Sequence, residues 1–356
     1  MSYTHRILLT GANGYIASHI LSQLMTSNEH SVRAVVRSQE KVDAIKKLYP
    51  NSPSSQLDFA IVPDISIPGA FDQALKSNTP FDIIMHTASP FRFSTATSAQ
   101  DFLDPAIKGT TEVLEGVQRV ARNSVRRVIV TSSYVAVGTF GPGVVPSKVY
   151  TEDDWNPITL EQAEAAFAAG IKGPAYLASK TFAERAAWEF KETHGAEVRW
   201  DLVVLNPPIV YGPLTHLISN MEDLGESAAR IYKGFFADKT PGDALIGDEL
   251  PLYVDVRDLA TAHLRAMVAP EAANKRFNVC AGDIRSQEIA DILRKEVPGS
   301  AGRVPKGEPG KDTKPHDAVR LNSSRAEKIL GMQWRTKVET FKDMGRQFME
   351  MEEGKY

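Results

Sequence analysis

The sequence predicts an α/β protein: a doubly wound parallel sheet covered by helices on both faces, with a smaller lobe contributed mainly by the C-terminal third. Three observations predict it. Short apolar runs alternate with amphipathic stretches of helical period through the first 212 residues. The first run passes at once into a glycine-rich turn, TGANGYIASHI at 10–20. Beyond Gly212-Pro213 the alternation breaks down. Residues 1–212 are therefore expected to form the sheet-based unit. Residues 213–356 should form most of the second lobe, with some segments returning to the sheet.

Composition limits the classes of function. The chain has 356 residues, 42% of them hydrophobic and 24% charged, as in an ordinary globular protein large enough for one big α/β domain or two modest ones. The 41 basic residues nearly balance 44 acidic ones, and no basic stripe alternates with aromatics, which argues against a nucleic-acid or anionic-membrane partner. No apolar run approaches the roughly 18 residues of a membrane-spanning helix. The first strand begins so early that no cleavable signal peptide is expected. The single cysteine, Cys280, fits a reducing compartment and reads as a small buried residue, so the expected address is cytoplasmic. The eight histidines show no metal-ligand spacing.

Arg6 to Leu9 read as a buried strand, after which Gly11, Gly14 and Ala17 turn the chain into a helix. A pyrophosphate approaching a helix N-terminus meets unpartnered N–H donors and a favourable dipole. Gly11 frees the backbone angles, Gly14 removes a side chain from that approach, and Ala17 lets the helix pack closely. The spacing is GxxGxxA, and the same turn also serves as a plain strand–helix connection. Its place directly after the first strand favours a dinucleotide site.

Residues 31–36 (SVRAVV) form the second strand, ending at Arg37, with Lys41 on the opening turn of a helix. A dinucleotide fold usually needs an acid here for the adenosine ribose; a guanidinium instead suits a 2′-phosphate. Two solvated surface charges are the plainer reading, but the position favours NADP(H) over NAD(H). Residues 57–62 (LDFAIV) are the third strand. Asp64 after it either accepts from an adenine amino group, with Ile65 covering the ring, or caps the helix near Pro68. Residues 81–87 (FDIIMHT) are the fourth strand, with His86 a core histidine. The strand opens at Thr87 into Ala88, Ser89, Pro90 and Phe91, a backbone able to pass under a cofactor. A helix is expected over 104–122.

Residues 127–133 (RVIVTSS) are a fifth strand with a hydroxylic end. Strand side chains alternate between faces, so Ser132 and Ser133 cannot both address one site. An irregular stretch follows from 138 to 159, its acidic cluster at 152–154 expected as a solvated loop. A helix then begins at Gly173 and carries Tyr176 and Lys180, four apart and therefore on one face. A phenol ordinarily deprotonates near pH 10, and a desolvated ammonium one turn away should lower that value. Such a phenol can protonate a carbonyl oxygen while hydride reaches the carbon. Residues 200–206 (WDLVVLN) are the sixth strand. Later helices are expected near 227–236, 258–268, 286–296 and 323–330, with short strands at 252–254 and 277–279.

This order of motifs resembles the extended short-chain dehydrogenase/reductase superfamily, and within it the branch of plant dihydroflavonol reductases and yeast methylglyoxal/isovaleraldehyde reductases used as ketoreductases. The resemblance covers essentially the whole chain. It is carried by TGANGYIASHI, RSQEK (37–41), VPDIS (62–66), HTASPF (86–91), VTSSYVAV (130–137), AYLASK (175–180), LNPPIVYGP (205–213) and YVDVRDLATAH (253–263). It implies a Rossmann fold with Ser133, Tyr176 and Lys180 as the catalytic set, Tyr176 giving the proton and Lys180 also holding the nicotinamide ribose. Gly11, Ala12, Asn13, Gly14, Tyr15 and Ile16 would line the pyrophosphate, Arg37 and Lys41 the 2′-phosphate, and Asp64 and Ile65 the adenine. Pro207 to Val210 would pass beside the nicotinamide. Phe91, Tyr134 and Tyr211 are the candidates, by position alone, for the substrate wall. The sequence departs from the family where many members have an asparagine before GT: here the stretch is Ala106-Ile107-Lys108-Gly109-Thr110. The expected function is an NADPH-dependent carbonyl reductase acting, as monomer or homodimer, on a small aldehyde or ketone. The alternatives are an epimerase or dehydratase with retained NAD and a non-catalytic NADP(H) sensor.

Overall fold

The protein's computed structural model describes residues 3–89, 95–139, 147–215, 218, 220–248, 250–311 and 319–355. The first part of the chain runs through β1 (His5–Thr10), α1 (Tyr15–Ser27), β2 (His30–Val36), α2 (Gln39–Leu48), β3 (Leu57–Ile61), α3 (Asp72–Leu75), β4 (Ile83–His86), α4 (Gln100–Gly116) and β5 (Arg127–Thr131). Then come β6 (Val149–Tyr150), α5 (Leu160–Ala168), α6 (Gly173–His194), β7 (Asp201–Asn206), β8 (Ile209–Tyr211), α7 (Glu226–Phe235), β9 (Leu252–Asp255) and α8 (Val256–Val268). The chain closes with β10 (Lys275–Asn278), β11 (Gly282–Asp283), α9 (Ser286–Glu296), β12 (Arg320–Leu321), α10 (Ser324–Ile329) and α11 (Lys337–Glu352).

Seven strands form one parallel sheet in the order β10-β7-β5-β4-β1-β2-β3. The strand pattern explains why both faces are covered. Ile7, Leu9, Ile83, Met85, Ile129, Val203 and Leu205 enter one core with α1, α8 and α10. The intervening Leu8, Ile84, Val128, Val130, Leu202 and Val204 enter the opposite core with α3, α4 and α6. Alternate residues point to opposite faces, so only strands apolar at every position satisfy a doubly covered sheet. The strand order reverses between β1 and β4. Their carboxyl ends therefore splay apart into the crevice where open α/β sheets hold ligands.

The second lobe has its own core. Phe235, Phe236, Leu293, Phe341, Met344 and Phe348 join α7, α9 and α11 there, beside a three-stranded sheet ordered β11-β9-β8. β10 pairs with β7 at the edge of the main sheet, and α8 packs on α1.

Several elements differ from the sequence reading. The fourth long helix starts at Gln100, one turn early, with Pro105 inside it, and finishes in π-type turns at Val117–Ala121. By sequence Pro105 suits a first turn. Asp101 instead starts the helix by accepting the Thr97 and Ser98 amides at 2.7 and 3.0 Å. Helices α5 and α11 have no counterpart in the expected elements. Thr159 and Thr336 begin them with reciprocal capping boxes to Gln162 and Glu339. The acidic cluster at 152–154 is not simply solvated. Glu152 is buried, and the carbonyls of Glu152 and Asp154 accept from Arg276 at 2.8 and 2.7 Å.

Candidate active site

The β1–α1 turn lies at the crevice. Gly11 has φ +66°, and a Cβ there would stand 3.0 Å from Ala88 Cα and 3.1 Å from Ala88 N, so glycine is needed both for the angle and for contact with the β4 end. Thr10 locks that contact. Its Oγ1 accepts the Thr87 and Ala88 amides, both at 3.2 Å, and its carbonyl accepts Thr87 Oγ1 at 2.7 Å. With two donors already on Thr10 Oγ1, its own proton goes to His86 Nδ1 at 2.9 Å, which makes His86 the Nε2–H tautomer. Burial and the nearby Lys180 push the His86 value down to about 3, keeping it a neutral core histidine.

Helix α1 starts at Gly14 without a side-chain cap and without an acid in its first turn. Its first-turn amides thus face the crevice with the positive end of the helix dipole, which fits a phosphate-bearing ligand. Not every backbone group of the turn is available. The Ala12 amide donates to the Val35 carbonyl at 3.1 Å and the Gly14 amide to the Gly11 carbonyl at 2.8 Å. The Tyr15 side chain is a strut: its hydroxyl donates to the Gly212 carbonyl at 2.6 Å, tying α1 to the second lobe.

Two cavities share this turn. One of about 490 Å³ runs between Asn13 and Gly14, Arg37 and Lys41 on the second strand–helix unit, and Leu214 across from them. Arg37 is exposed, and Lys41 pairs with its neighbour Glu40 at 3.0 Å. Asp64 and Ile65 border neither cavity. Asp64 closes a turn on Ser66, accepting its amide and hydroxyl at 2.8 and 2.6 Å, while Ile65 rests on Gly109 of α4, where a Cβ would come within 2.6 Å of Ile65 Cδ1. Asp64 caps no helix: the helix expected near Pro68 is α3, which starts at Asp72 without a side-chain cap.

The second cavity, about 760 Å³, continues from Gly11, Gly14 and Ile16 past Thr87 to Ser133, Tyr176 and Lys180, with Pro207 and Val210 on the far wall. Ser133 follows β5 and caps a 3-10 turn over Tyr134–Ala136. Ser132 and Ser133 both border the cavity; the Ser132 hydroxyl donates to Glu184 at 2.5 Å, whereas a hydrogen bond from Ser133 bears on the Tyr176 phenol. Burial holds the Tyr176 phenol above its ordinary range, and the Ser133 bond pulls in the opposite direction. The expectation that Lys180 would lower this value is not met. Its Nζ lies 6.0 Å from the ring centroid and donates to Ser89 Oγ at 2.7 Å. Burial brings the Lys180 ammonium itself down to about 8.

Of the three candidates for the substrate wall, Tyr134 borders the cavity. Tyr134 is fully buried, its ring edge-on to Tyr150 and its hydroxyl on the Thr139 carbonyl at 2.8 Å. Tyr211 packs on Phe341, 5.3 Å between centroids, inside the core of the second lobe. Phe91 lies outside the described residues. Among the described residues, Val135, Ile209, Leu224 and Leu250 add apolar surface to the cavity beside Tyr134. Val135 and Ile209 lie within the VTSSYVAV and LNPPIVYGP motifs, whereas no local pattern in the sequence marks Leu224 and Leu250. Cys280, as expected, is inert: burial pushes its thiol up to about 12.

A phenol held by a serine, an ammonium one turn along the same helix, and a phosphate-binding turn at the same cavity form a site for proton transfer beside a bound dinucleotide. Comparison with known proteins agrees with that geometry. The chain is 34% identical over 352 residues to the NADPH-dependent methylglyoxal reductase GRE2 of Saccharomyces cerevisiae, covering 97% of this chain and 98% of that protein. It is 35% identical over 335 residues to the ketoreductase azaE of Aspergillus niger, covering 94% of each. The crystal structure of the yeast methylglyoxal/isovaleraldehyde reductase Gre2 complexed with NADPH superposes with a TM-score of 0.85 at 33% identity, over 99% of this chain and 100% of that one. The model of the NAD dependent epimerase/dehydratase family matches residues 7–280. By sequence and by fold, the chain belongs to this family.

Proposed function

We propose that the protein is an NADPH-dependent carbonyl reductase that converts a small aldehyde or ketone to the alcohol. The observation that carries the reading is a single cavity that brings Ser133, and Tyr176 and Lys180 one turn apart on α6, together with the Gly11–Ile16 turn. Bound NADPH supplies the hydride. Gly11 to Ile16 hold the pyrophosphate, and Arg37 with Lys41 hold the 2′-phosphate, where a carboxylate would repel it. Asp64 and Ile65, outside both cavity linings, follow β3 at the same sheet edge as Arg37 and would take the adenine side. Thr87, Ala88 and Pro207 to Val210 border the nicotinamide, and Lys180 bonds its ribose. Ser133 orients the carbonyl oxygen and Tyr176 gives it a proton. A phenol raised by burial stays protonated at neutral pH, as a proton donor must. We assign the cofactor and catalytic groups to residues 1–212 and read residues 213–356 as mainly a substrate-binding lobe, which adds Leu224 and Leu250 to the cavity wall. Among the described residues no helix is long and apolar enough to cross a membrane. We place the enzyme in the cytoplasm as a monomer or homodimer.

The test is NADPH oxidation at 340 nm against a panel of aldehydes, diketones and β-keto esters, run beside NADH and beside Tyr176→Phe. Turnover should prefer NADPH, and the variant should lose about 10² to 10⁴ in kcat while still binding cofactor. Full activity of the variant would remove the phenol from the mechanism. Cofactor that copurifies as NAD without net NADPH consumption would point instead to an epimerase or dehydratase.

A further inference from the structure

Glu184 is a buried carboxylate that the proposed chemistry does not use, yet it lies on the helix that carries the reacting pair. Tyr176, Lys180 and Glu184 follow one another at four-residue intervals along α6 and so lie on one face. The Glu184 side chain has no solvent exposure and receives donors from four places. Ser132 Oγ from the end of β5 donates at 2.5 Å, Asn206 Nδ2 from the end of β7 at 2.6 Å, Arg276 Nε from β10 at 2.6 Å, and Trp188 Nε1 from the next turn of α6 at 3.4 Å.

The donors are fixed in turn. The Arg276 guanidinium lies 3.8 Å above the Trp155 ring and donates to the carbonyls of Glu152 and Asp154. Asn206 Nδ2 also donates to the Ser133 carbonyl at 3.1 Å. The Ser132–Ser133 segment is therefore gripped twice, through the Ser132 side chain and through the Ser133 backbone. Both grips lead to the helix that bears Tyr176. A buried ion pair contributes little net stability compared with well-packed apolar groups, because desolvation offsets the attraction. What it supplies is directional geometry from a group whose partners cannot shift without leaving a charge unpaired.

We propose that Glu184, with Asn206 and Arg276, is a positioning group that sets the Ser133 hydroxyl against the Tyr176 phenol. The proposal rests on the reductase reading for its kinetic consequence, though not for its geometry. A double-mutant cycle tests it on the full chain with NADPH and a carbonyl substrate. Glu184→Gln alone should lower kcat about 10- to 100-fold, the usual scale for misplacing a reacting group by about an ångström. NADPH affinity, read by fluorescence titration, should hold. In the Ser133→Ala background the same change should cost nothing further. Losses that multiply, or a kcat that falls only in step with the folded fraction, would overturn it.

A second readout needs no turnover. The Tyr176 resonance of ¹³Cζ-tyrosine-labelled protein, assigned with Tyr176→Phe, should titrate at higher pH in Glu184→Gln, as it should in Ser133→Ala. An unmoved titration would refute the positioning role whether or not the protein reduces carbonyls. Inactivity of the unsubstituted protein toward every carbonyl would refute only the reductase reading. Should Glu184→Gln fail to fold, Ser132→Ala, which leaves the Arg276 pair intact, takes its place in both experiments.

Discussion

On the β1–α1 side of the cleft, Gly11, Gly14, Arg37 and Lys41 border the cavities as their places at a turn and a strand end suggest. On the opposite side, Tyr134 and Tyr211 stand as near to motif residues in the sequence, yet Tyr211 is packed inside the core of the second lobe and the hydroxyl of Tyr134, which borders the cavity, is spent on the Thr139 carbonyl. The first side is built by local rules: a positive φ, a bare helix N-terminus, a strand that must end where the sheet ends. The second is built by whichever distant segments fold over it. Proximity to a motif in sequence therefore predicts backbone placement well and side-chain direction poorly. Ser133 and Tyr134 illustrate this. They are adjacent, one hydroxyl meets the Tyr176 phenol, and the other is spent on the Thr139 carbonyl.

Substitutions on the two sides put this contrast to the test. Gly11→Val should have the largest effect, combining a φ of +66° that a branched residue resists with a Cβ pressed on the Ala88 backbone. Strain of about 3 kcal/mol, expressed partly as lost cofactor affinity, would raise the NADPH dissociation constant by about 100-fold. Equilibrium titration checks it, and unchanged affinity would mean that the turn does not form the cofactor cradle. Arg37→Glu should leave NADH binding nearly unaltered and weaken NADPH about 10- to 100-fold, the scale of a lost charge-assisted hydrogen bond.

The next effect is one of pH. Burial disfavours the Lys180 ammonium, so its charge is lost as pH rises through about 8, well below the usual lysine range. The kcat/KM for carbonyl reduction should hold below that value and fall by about tenfold per unit above it. Lys180→Met should be slow throughout and lack this limb. The smallest effect is expected on the substrate side. Tyr134→Phe removes a bond to a backbone carbonyl in a buried cluster and should cost about 1 kcal/mol of stability. The KM for the carbonyl should remain within about twofold, since the hydroxyl that is removed is spent on the Thr139 carbonyl. A large KM change with unaltered melting would make the Tyr134 hydroxyl a substrate contact.

The strands of the main sheet were legible in the chain alone. A strand covered on both faces must be apolar at successive positions, and the runs Ile7–Leu9 and Leu202–Leu205 show that pattern without any partner. The glycine turn, the Arg37 strand end and the Tyr176/Lys180 spacing were legible too, since each follows from chain geometry over four residues or fewer. Tertiary structure alone decided that Lys180 turns to Ser89 and that Glu184 receives Ser132, Asn206 and Arg276 from three strands. It also brought Leu224 and Leu250 to the cavity wall. These contacts join residues tens of positions apart or more. A side chain's direction there is fixed by burial and by hydrogen bonds that exist only once the sheet, α6 and the second lobe have come together.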